Sequence, residues 1–221
     1  MAQMRRRDPE PPPGLPRIEF RPGMANEMLR ELAPLLAEEG IDINNIEVDD
    51  IETLRRAMNR AVERHNMALF TPVGERRDVA AAALRLVVEA IADDDSEVAS
   101  AILDQVQPES PDNSAPEVSA CIGIALGLLD EWLGGHDEST PPRLAERVRL
   151  PRGHWVGERA ARDILALAAK GRAFRSLGSL LTRQGGPQVL YGSALALTAT
   201  IRAWSTGTGT PVPELARTLI R

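Results

Sequence analysis

Apolar residues recur at spacings of three and four along most of this chain, and that period is typical of helices packed on one face. Between residues 50 and 70, for example, Leu54, Met58, Ala61 and Leu69 fall on one side of a helix. The same pattern predicts helices at 24–39, 50–70, 75–92, 117–133, 143–148, 156–170, 171–181, 189–204 and 214–220, and a shorter helix after the turn at 93–95 that runs through Ile102, Leu103 and Val106. The sustained alternation typical of strands is missing from the sequence. We therefore predict an all-α fold, a helical bundle of about eight to ten helices.

Residues with strong capping or breaking preferences mark the ends of these helices. Gly40 is a C-terminal stop, and Asp49 begins the next helix with a capping box. Proline disfavours helical geometry in the residue before it, so Thr71-Pro72 ends that helix. After the polar turn that follows the helix at 75–92, Asp95 or Ser96 is predicted to cap the next one.

The first 23 residues differ from the rest of the chain. They contain six prolines and show neither a helical nor a strand period. Such composition favours an extended, solvated chain. We predict a flexible tail rich in Pro and Arg over residues 1–23 and one helical domain over residues 24–221.

Three segments, 83–106, 124–148 and 196–219, resemble one another. Each consists of an apolar helix, a polar turn and a short helix, with Trp132 and Trp204 near the ends of the first helices of the last two. Repeated helix hairpins of this kind can stack into one core. The intervals between copies are irregular, so two interpretations remain open: an internal duplication, or the common outline of antiparallel helix pairs. Both predict that the two tryptophans are packing anchors.

Formal charge is divided unevenly along the chain. Residues 24–140 contain 25 Asp and Glu against 8 Arg, whereas residues 143–221 contain 13 Lys and Arg against 4 Asp and Glu. The net charge of −6 therefore hides an acidic body and a basic last third. This asymmetry bears on partners and on long-range fields rather than on fold.

Composition narrows the class of protein further. Arginine accounts for all but one of the 26 basic residues, Lys170 being the exception, which is typical of high-GC bacteria. The single cysteine, Cys121, excludes a disulfide within one chain and favours a buried thiol in a cytoplasmic protein. The sequence contains no apolar run of about 18 residues, so we expect no membrane span.

An acidic cluster at residues 93–97 is the most distinctive motif. Asp93, Asp94, Asp95 and Glu97 resemble the Asp-Asp-x-x-Asp/Glu pattern of isoprenoid and terpene synthases, which implies magnesium and diphosphate binding. Asp93, Asp94 and Glu97 are accordingly the candidate metal ligands, and Asp130 with Glu131 could face them. Those enzymes line their cavities with aromatic side chains, whereas only seven aromatic residues occur here. We expect helix capping instead, with neither metal nor cofactor.

Other catalytic signatures are weak. His65, His136 and His154 are far apart and are not spaced as zinc ligands on one helix. Cys121 has no neighbouring histidine in the sequence, and phosphate-binding glycine loops are not found. The sequence therefore leans towards a protein that is not an enzyme, and we predict no catalytic residue.

The arginines of the last third are the better candidates for function. They occur in a loop-rich stretch and at helical spacings, where guanidinium groups can bind phosphates or carboxylates. We predict that a basic binding surface is formed by Arg147, Arg149, Arg152, Arg159, Arg162, Arg172 and Arg175. The competing interpretation is that these side chains pair with acidic residues of the same molecule or of a second copy.

We predict from these observations a helical interaction or regulatory protein. It would bind a protein partner or self-associate, for example as a homodimer, through complementary acidic and basic surfaces. One alternative is a regulator that binds nucleic acid through the same arginines, although no helix-turn-helix signature is evident. Another is a helical enzyme or small-molecule binder with Asp93–Glu97 near a cavity.

Overall fold

The computed structural model of the chain divides into two compact units, Met1–His65 and Asn66–Arg221. It describes residues 67–106, 116–135, 139–153 and 155–221, and the isolated positions 33, 34, 36, 37, 40 and 56. The predicted tail at 1–23, its boundary with the helical domain and the Asp49 cap lie outside the described residues. In the first unit, Gly40 adopts φ +79° and donates its N–H to Ala37 O at 3.0 Å, as its predicted role as a helix stop requires.

The second unit is all-α. After a helical end at residues 67–70, its helices are α1 (Glu75–Ala92), α2 (Ser96–Val106), α3 (Pro116–Leu133), α4 (Leu144–Arg147), α5 (Glu158–Ala168), a 3₁₀-helix (Phe174–Ser176), α6 (Leu177–Gln184), α7 (Gly186–Thr208) and α8 (Val212–Leu219). The described residues contain no strand. The predicted fold class is confirmed. Within the described ranges, no helix has the length and apolar character needed to cross a membrane.

Helix α7 is the centre of this unit. It packs against α1, α3, α4, α5, α6 and α8, and 14 of its 23 residues are buried. Because it is surrounded, it is apolar or small on nearly every side instead of on a single stripe. Its buried hydroxyl groups on Ser193, Thr198 and Thr200 each donate to a backbone carbonyl of the preceding turn at 2.8–2.9 Å. The core therefore holds these polar groups without unsatisfied donors.

Close approach between α5 and α7 depends on two glycines. A Cβ atom on Gly192 would lie 2.6 Å from Ala160 Cβ, and one on Gly157 would lie 2.5 Å from Gly192 N. Gly157 also has φ +78°, which disfavours other residues. The small residues thus bring the two helix backbones together directly after the loop that carries the candidate arginines.

Trp132 and Trp204 meet inside the core, on α3 and α7. Their side chains are only 4% and 5% exposed, and their ring centroids lie 5.5 Å apart at an interplanar angle of 79°. This edge-to-face geometry is one that aromatic pairs favour. The prediction that both tryptophans are packing anchors is confirmed, and their contact joins the two segments that the sequence showed to be similar.

Helix boundaries differ from the prediction at the glycines. Gly171 adopts φ +61°, so the predicted helix at 171–181 is replaced by the 3₁₀-helix and α6. The predicted break at 185–187 is shorter, because only Gly185, with φ +83°, stands between α6 and α7. Pro187 lies in the first turn of α7, where its missing N–H would have no helical partner.

Candidate binding groove

All seven arginines of the predicted basic surface are exposed. Within the described residues, Arg162 alone among them forms an ion pair, with Glu158 one turn earlier in α5. Glu158 belongs to the basic last third, so neutralisation by the acidic body, the competing interpretation, is not seen for any of the seven in the described ranges. Their role in binding stays a prediction.

Three of these arginines share one cavity. Arg147, Arg149 and Arg152 line an open groove of 460 Å³ together with Arg202, which projects from α7. Leu150, Pro151, Ala199 and Ala203 contribute apolar surface to the same groove. We call this cavity the basic groove. It lies between the loop that follows α4 and the last turns of α7.

Backbone carbonyls hold two of the guanidinium groups in place. Arg147 Nη2 donates to Pro142 O at 2.9 Å. Arg149 Nη1 donates to Glu146 O and Val148 O, both at 2.8 Å. A carbonyl orients a guanidinium without neutralising it, so the full positive charge of these side chains remains available. Each also keeps further N–H donors, because a guanidinium carries five.

Arg202 is held differently, by a carboxylate. Its Nη1 atom lies 3.6 Å from Oδ1 of Asp94, which also lines the groove. That separation is too long for a hydrogen bond, and the two side chains are 39% and 68% exposed. An ion pair of this kind contributes little to stability, at most about 1 kcal/mol. Arg202 can therefore exchange Asp94 for another anion at small cost.

Gly207 provides space for Arg147. A Cβ atom at this position would lie 2.6 Å from Arg147 Nη1. The guanidinium of Arg147 thus lies against the backbone of α7, which brings the loop after α4 close to the helix that carries Arg202. The atom in the way is the end of a flexible side chain, so a larger residue at 207 would displace Arg147 more than it would disturb the fold.

The other four predicted arginines lie outside the basic groove. Arg159 and Arg162 are on α5, Arg172 is in the turn after it, and Arg175 is in the 3₁₀-helix. The sequence prediction missed Arg202, because it is the only charged residue of α7 and has no basic neighbour at helical spacing. Arg202 and Asp94 are brought together by the tertiary fold, so the sequence around either residue does not indicate the pair.

The acidic cluster serves mainly as a helix cap. Asp95 Oδ1 accepts the N–H of Val98 at 3.0 Å, as the capping prediction required. Asp94 lines the basic groove, whereas Glu97 lines a separate cavity of 270 Å³. Among the described residues, no three His, Cys, Asp or Glu side chains are placed to hold a metal ion. The candidate ligands Asp93, Asp94 and Glu97 are therefore not assembled into a metal site.

Asp130 has a structural role instead of facing the acidic cluster. Its two carboxylate oxygens accept the N–H groups of Ala173 and Phe174, at 2.7 and 2.9 Å. These contacts fix the start of the 3₁₀-helix against the end of α3. Both carboxylate oxygens of Asp130 are thus engaged by the backbone, and Asp130 belongs to no group of described side chains that could hold a metal ion.

The remaining candidates do not form a reactive centre in the described ranges. His65, His136 and His154 lie outside the described residues. Cys121 is buried, and burial, with a smaller contribution from Glu117, raises the pKa of its thiol to about 12. The thiol donates to Ala80 O at 3.7 Å, so this side chain is a packing residue.

Described residues also line two other cavities. One, of 500 Å³, is mainly apolar and includes Phe70, Val73 and Leu128. The 270 Å³ cavity contains Tyr191, whose hydroxyl donates to Asp104 Oδ1 at 2.8 Å and lies 3.0 Å from Ser100 Oγ. Burial is the main cause that raises the pKa of Tyr191. Neither cavity gathers as many uncompensated charges as the basic groove.

Comparison with protein-family models, with curated proteins and with solved structures finds no match to this chain.

Proposed function

We propose that this protein is a non-enzymatic helical interaction protein whose basic groove binds an acidic surface of a partner protein or of a second copy. The observation that carries this proposal is the way the groove arginines are held. Arg147 and Arg149 are oriented by carbonyls, and neither they nor Arg152 pairs with a described carboxylate. Positive charge is concentrated in one place and is left for a ligand.

Preorganisation makes such a surface effective. A free arginine loses up to about 2 kcal/mol of side-chain entropy when it is immobilised. The carbonyl contacts of Arg147 and Arg149 meet part of that cost before the partner arrives. Trp155 Nε1 donates to Arg152 O at 3.2 Å and restrains the loop between them. The groove therefore presents its guanidinium donors in fixed positions, which favours a partner whose acceptor groups match those positions.

An acidic protein surface fits the surroundings better than a nucleic acid does. Asp93, Asp94 and Asp95 are exposed in the turn beside the groove, and Asp94 forms part of its wall. A continuous phosphate backbone would pass near these carboxylates and be repelled, since charges interact within about 8 Å at physiological salt. A protein surface can instead place an acidic side chain in the groove and a basic one against the aspartates.

The same adjacency favours self-association. A surface with a basic patch beside an acidic patch is complementary to itself about a two-fold axis, so that each patch faces the opposite patch of the second copy. In such a dimer Arg149 and Arg152 of one copy would face Asp93 and Asp95 of the other. A homodimer is therefore the first partner to test.

Sedimentation velocity at about 50 and about 500 mM salt is the decisive experiment, because screening weakens contacts between exposed charges. We expect a dimer at low salt that dissociates at high salt. The variant R149E/R152E should be monomeric, and so should D93R, which leaves the Asp95 cap intact, but an equimolar mixture of the two should form a heterodimer. R217E is a charge-reversal control outside the groove, since Arg217 is exposed on α8, and it should behave as the parent chain.

Two labelled probes extend the test to other partners: a glutamate-rich peptide and a random DNA duplex. Binding of the peptide that R149E/R152E abolishes and R217E preserves supports the proposal. Tight binding of the duplex with the same mutational pattern would replace it with the nucleic-acid alternative. Absence of self-association together with absence of binding to either probe would overturn it.

A further inference from the structure

We infer that the basic groove is a site for a phosphate monoester, carried on a serine or threonine side chain of the partner segment. The inference rests on the proposed function, because it names the chemical group by which an acidic partner engages the groove. Four arginines and one aspartate line this cavity, so its local formal charge is +3. A phosphate monoester carries about −1.5 to −2 charges at neutral pH.

Donor number favours a phosphate over a carboxylate. The groove offers guanidinium groups from two elements, Arg147, Arg149 and Arg152 from the segment that begins with α4 and Arg202 from α7. A carboxylate presents two oxygens and one charge, which one bidentate arginine satisfies. A phosphate monoester presents three terminal oxygens, so it can accept from several guanidiniums at once.

Arg202 is the side chain that would change partner. Among the described residues, Asp94 is the one charged partner that holds it, at 3.6 Å. A phosphate in the groove would give Arg202 shorter, charge-assisted hydrogen bonds and would release Asp94 to solvent, where that carboxylate is already 68% exposed. Asp94 therefore competes with the ligand for Arg202. Removing its charge should strengthen phosphate binding, the opposite of what removing an arginine charge should do.

The shape of the groove favours a side chain on a protein segment over a free small molecule. Arg147, Arg149 and Arg152 are all exposed, so the cavity is open to solvent along the loop after α4. An open cavity lets a polypeptide enter and leave, whereas small-molecule sites usually enclose most of their ligand. Leu150, Pro151 and Ala203 offer apolar surface to the atoms around the phosphate.

Three labelled peptides that differ only in the central residue, with neutral residues on both sides, test the inference by fluorescence anisotropy. The central residue is serine, glutamate or phosphoserine. We expect the phosphoserine peptide to bind at least about tenfold more tightly than the glutamate peptide, since it adds charge-assisted contacts. R202Q should lower the affinity for the phosphoserine peptide about tenfold, whereas D94N should raise that affinity severalfold. R217Q, with the same charge change as R202Q, should have no effect.

The outcomes separate this inference from the proposed function. Equal affinity for the phosphoserine and glutamate peptides would overturn the phosphate site while leaving an acidic partner in place. Failure of all three peptides, with no self-association, would overturn both. If free phosphoserine displaced the phosphopeptide at equal concentration, the site would be one for small molecules, and the assignment to a protein segment would be wrong. D94N keeps the test valid even if R202Q does not fold.

Discussion

Two glycines one turn apart in α3 should respond in opposite ways to the same substitution. Alanine at Gly127 would meet nothing within 4 Å, whereas a Cβ atom at Gly123 would lie 1.7 Å from the carbonyl oxygen of Phe70. Both positions are inside the helix Pro116–Leu133, so each substitution brings the same gain in helix propensity. The difference between the two variants therefore isolates the close approach of α3 to the chain at residue 70.

The gain in helix propensity and the cost of overpacking together decide whether each substitution raises or lowers the free energy of unfolding. Alanine is more favourable than glycine inside a helix by about 0.5–1 kcal/mol, so Gly127→Ala should raise the free energy of unfolding by about that amount. Overpacking a filled site costs about 1–3 kcal/mol. The cost at Gly123 should be near the upper end of that range, since the obstructing atoms belong to the backbone. We expect Gly123→Ala to lower the free energy of unfolding by about 2 kcal/mol.

Urea unfolding followed by circular dichroism measures both free energies. In thermal unfolding each kcal/mol corresponds to about 2–4 °C for a chain of this size, so the two melting temperatures should differ by roughly 5–10 °C. Faster amide hydrogen exchange over residues 67–74 in Gly123→Ala would show where the strain is relieved. Equal stabilisation by both alanines would refute the reasoning, because it would mean that α3 and Phe70 are not in contact.

Three other predictions concern the core. Asp130→Ala should lower the free energy of unfolding by about 2 kcal/mol in urea unfolding, because two backbone N–H groups lose their acceptor. A double-mutant cycle of Trp132→Leu and Trp204→Leu, measured by urea unfolding, should give a coupling free energy of about 1 kcal/mol between the two rings. If the two substitutions were additive, the ring contact would be contradicted. Cys121 should resist a thiol reagent until the protein unfolds. Its pKa is raised to about 12 in the folded state, so the unfolded chain ionises first and stability should fall as pH rises from about 8.5 towards 12.

The hydrophobic period predicted most helices because their stabilising contacts lie along one face. The predicted bounds of α1 equal those in the structure, and those of α3 differ by one residue. The predicted helix ends were accurate where a proline stops a helix, as at Thr71-Pro72, or where an aspartate caps one, as at Asp95. They were less accurate at Gly171 and Gly185, because a glycine permits a turn without requiring one.

The candidate site was only partly predictable. Clustering in the sequence was enough to select Arg147, Arg149 and Arg152, which the structure places in one cavity. Arg202 and Asp94 are 108 residues apart, and their contact depends on how α7 packs beside the turn after α1. Carbonyl anchoring of the arginines likewise depends on backbone geometry that the side-chain pattern does not encode.

The charge division has a kinetic consequence that can be measured. An acidic ligand approaching from a distance meets a molecule with a net charge of −6, but inside the basic groove it meets a local charge of +3. At about 10 mM salt the screening length is about 30 Å, so the net negative charge of the molecule repels the ligand, whereas at about 150 mM it is about 8 Å and the groove dominates.

Stopped-flow mixing with the phosphoserine peptide should therefore show an association rate that rises with salt over this range. The dissociation rate should rise as well, because the contacts in the groove are themselves screened. R202Q should raise the dissociation rate at every salt concentration and change the salt dependence of association little. An association rate that falls steadily with salt would mean that a much wider positive field guides the ligand, and that the acidic body does not oppose its approach.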